Sequence, residues 1–199
     1  MQAGQTLIDL LRHGEVAGGD LLRGSRTDQP LSDKGWEQLR ETVDSGANWQ
    51  RVVCSPLRRC REFAEETAER LNLPLQVEEG LRELDFGAWD GLPLEQLWAQ
   101  HGDAANAFLE DPLSVMPPDA EPITEFQQRV LASWNALLTD HAGEHLLLVA
   151  HGVVNRLILS HVLAMPLSAM FRLEVAHACL SRVRVGTGNS RVVFHGNEF

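Results

Sequence analysis

The sequence is short of the features that would mark a secreted, membrane-bound or nucleic-acid-binding protein. Its 199 residues include three cysteines, Cys54, Cys60 and Cys179. An odd, sparse set without a Cys-x-x-Cys disfavours a disulfide framework and suits a reducing cytoplasm. No apolar run approaches the roughly 20 residues a membrane helix needs. The start, MQAGQTLIDLLRHGE, lacks the basic region and small-residue cleavage site of a secretion signal. Positive charge is scarce: 17 Lys and Arg stand against 28 Asp and Glu, a net −11. That balance argues against nucleic-acid or anionic-membrane partners. A phosphorylated substrate would require basic residues gathered locally, against the global sign.

Several catalytic patterns are also missing. A cysteine phosphatase needs Cys-x5-Arg, but the sixth residue after Cys54 is Cys60, after Cys60 is Glu66, and after Cys179 is Val185. There is no Gly-x-Ser-x-Gly, P-loop or dinucleotide fingerprint. His141 and His145 have the spacing of a metal pair on a helix, but Gly143 between them argues against a continuous helix.

What is present is an alternation of strands and helices. Leu7–Leu11 is nearly all apolar and reads as a buried strand. Ser32 reads as an N-cap opening a helix to about Val43. Arg51–Cys54 reads as a strand. Ser55-Pro56 follows as N-cap and first helical position, with a helix running to Asn72-Leu73-Pro74. Residues 75–92 read as an irregular loop with short extended pieces and several glycines, and 93–121 as short helices with a proline-rich loop. Ile123 to Leu138 is the clearest amphipathic helix. His145–Ala150 is a further buried strand and Val153–Leu163 an apolar helix. The tail, Ala178–Val185 and Arg191–His195, reads as a hairpin around Gly186-Thr187-Gly188-Asn189. This implies one α/β domain over residues 1–199, a three-layer sandwich whose mostly parallel sheet is flanked by helices on both faces.

Ligands in such sheets bind beyond the carboxyl ends of strands. Three candidate strand ends lead into Arg12-His13-Gly14-Glu15, Ser55-Pro56-Leu57-Arg58-Arg59, and His151-Gly152. Glycine after each histidine would let backbone approach a ligand. Arg58, Arg59 and Arg61 sit in the first turns of a helix, where the dipole disfavours cations, and Arg58 occupies the capping-box position. An anion bound there would explain both irregularities. Each feature alone has an ordinary reading, a satisfied strand-end histidine or a solvated arginine face. Their coincidence at three strand ends points to a phosphate site.

Together these residues resemble the histidine phosphatase superfamily, which includes the cofactor-dependent phosphoglycerate mutases. LLRHGE is similar to the family signature, and GSRTDQPLSDKG to its following segment. CSPLRRCREFA is similar to its arginine-bearing helix start, LRELDFGAWDG to its acid-bearing loop, and LLLVAHGVVNRLIL to its second histidine segment. Five segments in the right order make a specific match. Val16, Cys60 and Phe63 depart from the family pattern, and the asparagine that mutase-like members often place after Glu15 is missing. EVAGGDLLRGS and EDPLSVMPPDAEPITEF resemble the α-ribazole phosphatases of cobalamin synthesis.

The resemblance implies His13 as nucleophile, Arg12, Arg59 and His151 as the phosphate pocket, and Glu83 as proton donor. Ser25 and Gly152 are candidate substrate contacts. Arg58 and Arg61 match no catalytic position, although Arg61 is a weaker candidate contact, and Glu15 takes a structural role. A neutral imidazole can attack phosphorus through one nitrogen while the other donates to a backbone carbonyl. Arg12, Arg59 and protonated His151 would balance charge on the transferring group without a metal or other cofactor. Glu83 needs a raised pKa to act as an acid, which neighbouring Arg82 opposes unless it points away. The expected partner is a small phosphorylated metabolite such as α-ribazole 5′-phosphate, and the chain is a candidate homodimer. A phosphoglycerate mutase, a broad-specificity phosphatase and a phosphate-recognition module without turnover remain open. Residues 84–121 are the expected lid, with Trp89, Trp98, Phe108 and Met116 as core or rim residues.

Overall fold

The computed structural model describes residues 5–43, 47–186 and 188–196. Its sheet contains β1 (Thr6–Arg12), β2 (Arg51–Cys54), β3 (Leu75–Val77), β4 (His145–Ala150), β5 (Leu180–Gly186) and β6 (Asn189–His195), in the order β3-β2-β4-β1-β5-β6. The first four strands run parallel, and β5 and β6 continue the sheet antiparallel. The α-helices among the described residues are α1 (Asp33–Val43), α2 (Arg58–Leu71), α3 (Leu94–Glu110), α4 (Ile123–Asp140) and α5 (Gly152–Val162), with short 3-10 turns at Glu79–Leu81, Gly87–Trp89 and Leu167–Arg172.

The side-chain alternation of β4 explains the layers. Leu146, Leu148 and Ala150 pack with Phe126 and Trp134 of α4 and with Val154 and Ile158 of α5. Leu147 and Val149 turn the other way, onto Leu39 of α1 and Phe63 and Ala64 of α2. Every residue of β4 is buried, because helices cover both of its faces. The expected three-layer sandwich with a mostly parallel sheet is therefore the observed fold.

One polar cluster interrupts the α1/α2 face. Buried Asp9 accepts bonds from Trp49 Nε1 (2.8 Å) and from Arg182 Nε and Nη2 (2.6 and 2.8 Å), and it contacts His145 Nε2 (3.0 Å). Burial opposes its ionisation, but the bonds from Arg182, His145 and Trp49 outweigh it and hold its pKa below the ordinary carboxylate value. His141 Nε2 meets Gln76 Oε1 at 3.0 Å instead. The two histidines at metal spacing thus face separate partners across Gly143, whose φ is +85°.

Local signals were honoured unevenly. Ser32 Oγ accepts from the Gly35 amide at 3.1 Å, as an N-cap does. Asn72 closes α2 in the left-handed region (φ 51°, ψ 48°). The reading of Ser55 as N-cap of α2 is corrected: the helix starts at Arg58, with Leu57 at the cap position and no side-chain cap bond there. The Ser55 hydroxyl is engaged by His151 (2.7 Å), and Asp28 Oδ1 accepts from the Arg58 amide at 2.6 Å. Residues 75–77, in the stretch read as short extended pieces, form an edge strand paired with β2. Residues 94–110 form one helix broken at His101 (φ −133°, ψ 18°). Thr187 of the expected hairpin turn lies outside the described residues. Cys54, Cys60 and Cys179 are free and buried. No helix among the described residues is long and apolar enough to cross a membrane.

Candidate active site

Strand register brings the site together. Arg12 pairs with Ala150 and Cys54 with Val149, so the residues that follow the three strands emerge side by side. The His13 amide continues the ladder to Ala150 O at 3.0 Å, and the Ser55 amide continues it to Val149 O at 3.0 Å. The His13 and His151 rings stand edge to face, with centroids 5.3 Å apart.

Each ring has a defined tautomer. His13 Nδ1 lies 2.8 Å from Gly14 O. A carbonyl only accepts, so Nδ1 carries the proton and Nε2 keeps its lone pair. Arg59 Nε lies 3.2 Å from His151 Nδ1. A guanidinium only donates, so His151 Nδ1 accepts and Nε2 donates to Ser55 Oγ. Burial, then the nearby Arg59, pushes both imidazoles well below the ordinary histidine pKa. Full burial beside cations thus disfavours the protonated form of His151 that the sequence led us to expect.

Arg59 is fully buried. Its Nη1 and Nη2 hold Thr27 O (2.8 Å) and Gly24 O (2.9 Å), tying the loop after β1 to α2. Arg12 Nη1 donates to Val175 O at 2.7 Å, while its buried Nε has no hydrogen-bond partner among the described residues. Burial, followed by the charge of Arg156, brings the Arg12 pKa down to about 10. An orphan cationic donor in such a place awaits an acceptor.

Glu83 is 4% exposed. Its carboxyl oxygens accept from the Leu84 amide (3.0 Å) and from the Val153 amide in the first turn of α5 (3.1 Å). Burial raises its pKa despite those bonds and the charges of Arg59 and Arg12. Arg82 points away and pairs with Glu79 at 3.0 Å. The loop carrying Glu83 is clamped by Arg129 of α4, which donates to the carbonyls of Gly80, Arg82 and Glu83.

His13 and Glu83 open onto a cavity of about 310 Å³. Its lining combines Arg12, Arg23, Arg156 and His177 with an apolar set that includes Leu97, Trp98, Phe108 and Phe171. Arginines gathered at the carboxyl ends of the strands resolve the conflict with the acidic composition. Arg59 and His151 are fully buried beside His13 and do not reach the cavity wall. Gly152 lines the cavity; Ser25 is half-buried and lies off it, in a loop whose Gly24 and Arg26 amides are drawn to Asp90. Trp89 and Phe108 are core residues that also reach the cavity, Trp98 is 46% exposed at its edge, and Met116 packs on the core.

Other expectations change. Arg58 and Arg61 are exposed and pair with Glu62 and Glu65, each at 2.8 Å. The amino end of α2 is capped by Asp28, so no anion is needed there to explain these arginines. Gly14 serves packing rather than ligand approach: a Cβ there would lie 2.2 Å from Gly35 O, and a Cβ at Gly35 would lie 2.0 Å from Glu15 O. The Glu15 carboxylate accepts from Ser32 (3.0 Å) and Lys34 (2.7 Å), a structural role. Sequence reasoning missed Arg23, Arg129, Arg156 and His177. Arg156 was within reach, since it lies one helical turn after Gly152. His177 follows no periodic signal; its ring is 5.6 Å from that of His13.

The comparisons with known proteins agree with this geometry. A model of the "Histidine phosphatase superfamily (branch 1)" matches residues 8–198. The chain is 29% identical over 198 residues to an adenosylcobalamin/alpha-ribazole phosphatase of Salmonella typhimurium (strain LT2), covering 93% of this chain and 96% of that protein. It is 28% identical over 179 residues to the protein of the same name from Escherichia coli (strain K12), covering 88% of each. Among solved structures, Bacillus stearothermophilus YhfR superposes with a TM-score of 0.88 at 25% identity, covering 98% of both chains. The chain belongs to the histidine phosphatase superfamily and is a histidine phosphatase.

Proposed function

We propose that the protein hydrolyses small phosphomonoesters through a phosphohistidine at His13. The observation that carries this reading is the 2.8 Å contact of His13 Nδ1 with Gly14 O, which leaves Nε2 as a fixed nucleophile beside Arg12, Arg59 and His151. Nε2 attacks phosphorus as the ester P–O bond breaks, and Glu83 gives its proton to the leaving oxygen. Water then attacks phospho-His13, Glu83 takes up a proton, and the N–P bond breaks to release inorganic phosphate. Arg12 and Arg59 balance charge on the nonbridging oxygens, and His151 Nε2–H is a neutral donor that an arriving phosphate dianion makes easier to protonate. Residues 84–121 roof the cavity within a single domain, acting as its lid, and the cationic cage works without a metal.

For the substrate, the named activity of the two curated relatives supports α-ribazole 5′-phosphate. The cavity suits it: an aromatic base would lie along the Trp98 and Phe108 wall, with the phosphate at His13. Rapid quenching during turnover of a radiolabelled phosphomonoester in EDTA tests the chemistry. An acid-labile, base-stable label on His13, absent in His13→Ala, is expected. Label on another residue, or turnover that survives in His13→Ala, overturns the reading. Screening phosphorylated metabolites tests the substrate: α-ribazole 5′-phosphate should lead, and a preference for 3-phosphoglycerate with dependence on 2,3-bisphosphoglycerate would instead identify a mutase.

A further inference from the structure

The cavity contains one more cation than the phosphoryl group and the surrounding loops engage. Arg23 is consumed locally: its Nε donates to Gln29 Oε1 (2.7 Å), and its Nη2 donates to Ala17 O (2.9 Å) and Gly19 O (2.8 Å). Arg59 holds Thr27, Gly24 and His151. Arg156 differs. Its Nε donates to Leu173 O at 2.8 Å, and among the described residues its terminal Nη groups have no protein acceptor. Arg156 lines the cavity, and Glu83 and Glu174 are the carboxylates whose charge it feels.

Its position is also defined. A Cβ built on Gly152 would lie 3.0 Å from Arg156 Nη1 and 3.4 Å from Arg12 Nε. Two guanidinium groups therefore converge over the bare backbone of Gly152, where any side chain would crowd them. From that point Arg156 extends over the Phe171 ring (6.0 Å to the centroid). Phe171 packs on Phe108 at 4.9 Å, within the apolar wall. Arg156 thus spans from the Arg12 end of the cavity to the wall that would receive the leaving group.

We propose that Arg156 is a specificity residue whose Nη groups bind an oxygen acceptor on the leaving group, beyond the ester bond, while the Phe171–Phe108 wall takes its apolar remainder. The acceptor is a hydroxyl or a carboxylate, either of which a guanidinium fork can engage. The phosphoryl group is left to Arg12 and His13, with the charge of Arg59 buried behind them. This inference rests on the phosphomonoesterase reading of the same site, but it is tested by binding and not by turnover.

The test uses His13→Ala protein, with and without Arg156→Gln or Arg156→Lys. Calorimetry gives dissociation constants for phenyl phosphate, which has no acceptor beyond its ester oxygen, for ribose 5-phosphate, which has hydroxyls, and for 3-phosphoglycerate, which has a carboxylate. Arg156→Gln should lower the preference for an acceptor-bearing ligand over phenyl phosphate by roughly 10- to 100-fold, the range for a charge-assisted hydrogen bond. Loss of preference for ribose 5-phosphate alone identifies a hydroxyl, and for 3-phosphoglycerate alone a carboxylate. Arg156→Lys should restore part of the carboxylate preference, because it keeps the charge but loses the fork. Thermal melting shows whether each variant is folded, and the lysine variant, with its long stem and cation, serves if the glutamine variant is not. An equal loss for all three ligands would assign Arg156 to the phosphoryl group, and unchanged ratios would make it structural; either overturns the proposal. If no phosphomonoester is turned over by the unaltered enzyme, the phosphatase reading fails, while the binding ratios still decide the role of Arg156.

Discussion

Arg59 donates through Nε to Nδ1 of His151 at 3.2 Å, and this buried contact sets which nitrogen of His151 bears its proton. The same guanidinium holds the carbonyls of Gly24 and Thr27. One side chain thus orients a site imidazole and fastens the loop that follows β1. Arg59→Lys keeps the charge but has no fork to serve three acceptors. Its kcat/KM should fall by about 10²- to 10³-fold, the scale of losing one preorganised charge-stabilising donor. Stability should fall by about 1–3 kcal/mol, as buried carbonyls lose their donor. Steady-state kinetics and urea denaturation check both effects. A lysine variant with full activity would remove Arg59 from the phosphate cage.

The pH dependence follows from two opposed shifts. Burial raises the Glu83 pKa, so its proton persists above the ordinary carboxylate range and leaves as pH rises further. Burial and Arg59 depress the His13 pKa, so its nucleophilic form is populated throughout the ordinary histidine range. For an alkyl phosphate, kcat/KM should therefore decline on the alkaline side with the titration of Glu83 and show no acid limb near the ordinary histidine pKa. Glu83→Gln should lower the rate by about 10²- to 10⁴-fold for such a poor leaving group. The loss should be smaller with p-nitrophenyl phosphate, whose phenolate departs without a proton. Equal losses for both substrates would show that Glu83 is not the acid.

Gly14 and Gly35 touch backbone to backbone, which fastens the His13 loop to α1. A methyl group at Gly35 would lie 2.0 Å from Glu15 O and 2.8 Å from Glu15 N. Neither atom can yield without moving the loop or the helix. Gly35→Ala should cost about 1–3 kcal/mol, the usual scale of overpacking, and should reduce kcat through displacement of His13. Denaturation and turnover measured together check this. An alanine variant with unaltered stability would show that the two segments part at no cost.

The local order of the chain was legible because it rests on local physics. Apolar runs as short as HLLLVA, bounded by glycine, read as covered strands, and the periodicity of α4 reads as a one-sided helix. Ser32 and Asn72 mark helix ends through bonds made within a few residues. His13 and His151 were visible because each directly follows such a run.

What the sequence by itself determined is this succession of strands and helices, their layered class and the residues at the strand ends. The tertiary structure alone decided which side chains meet. Ser55 looked like the cap of α2, yet its hydroxyl accepts from the Leu57 amide before the helix starts and from His151, which β4, adjacent to β2, sets against it. Arg58 and Arg59 are neighbours in the chain, yet one is exposed beside Glu62 and the other is buried against His151. His177 joins the cavity from a segment with no marking pattern, and Arg156 from a helix read only for its apolar residues. The physical reason is that propensity and periodicity act over a few residues, whereas strand register and the packing of loops over the sheet act across more than a hundred; the charge, burial and proton positions of this site are set at that longer range.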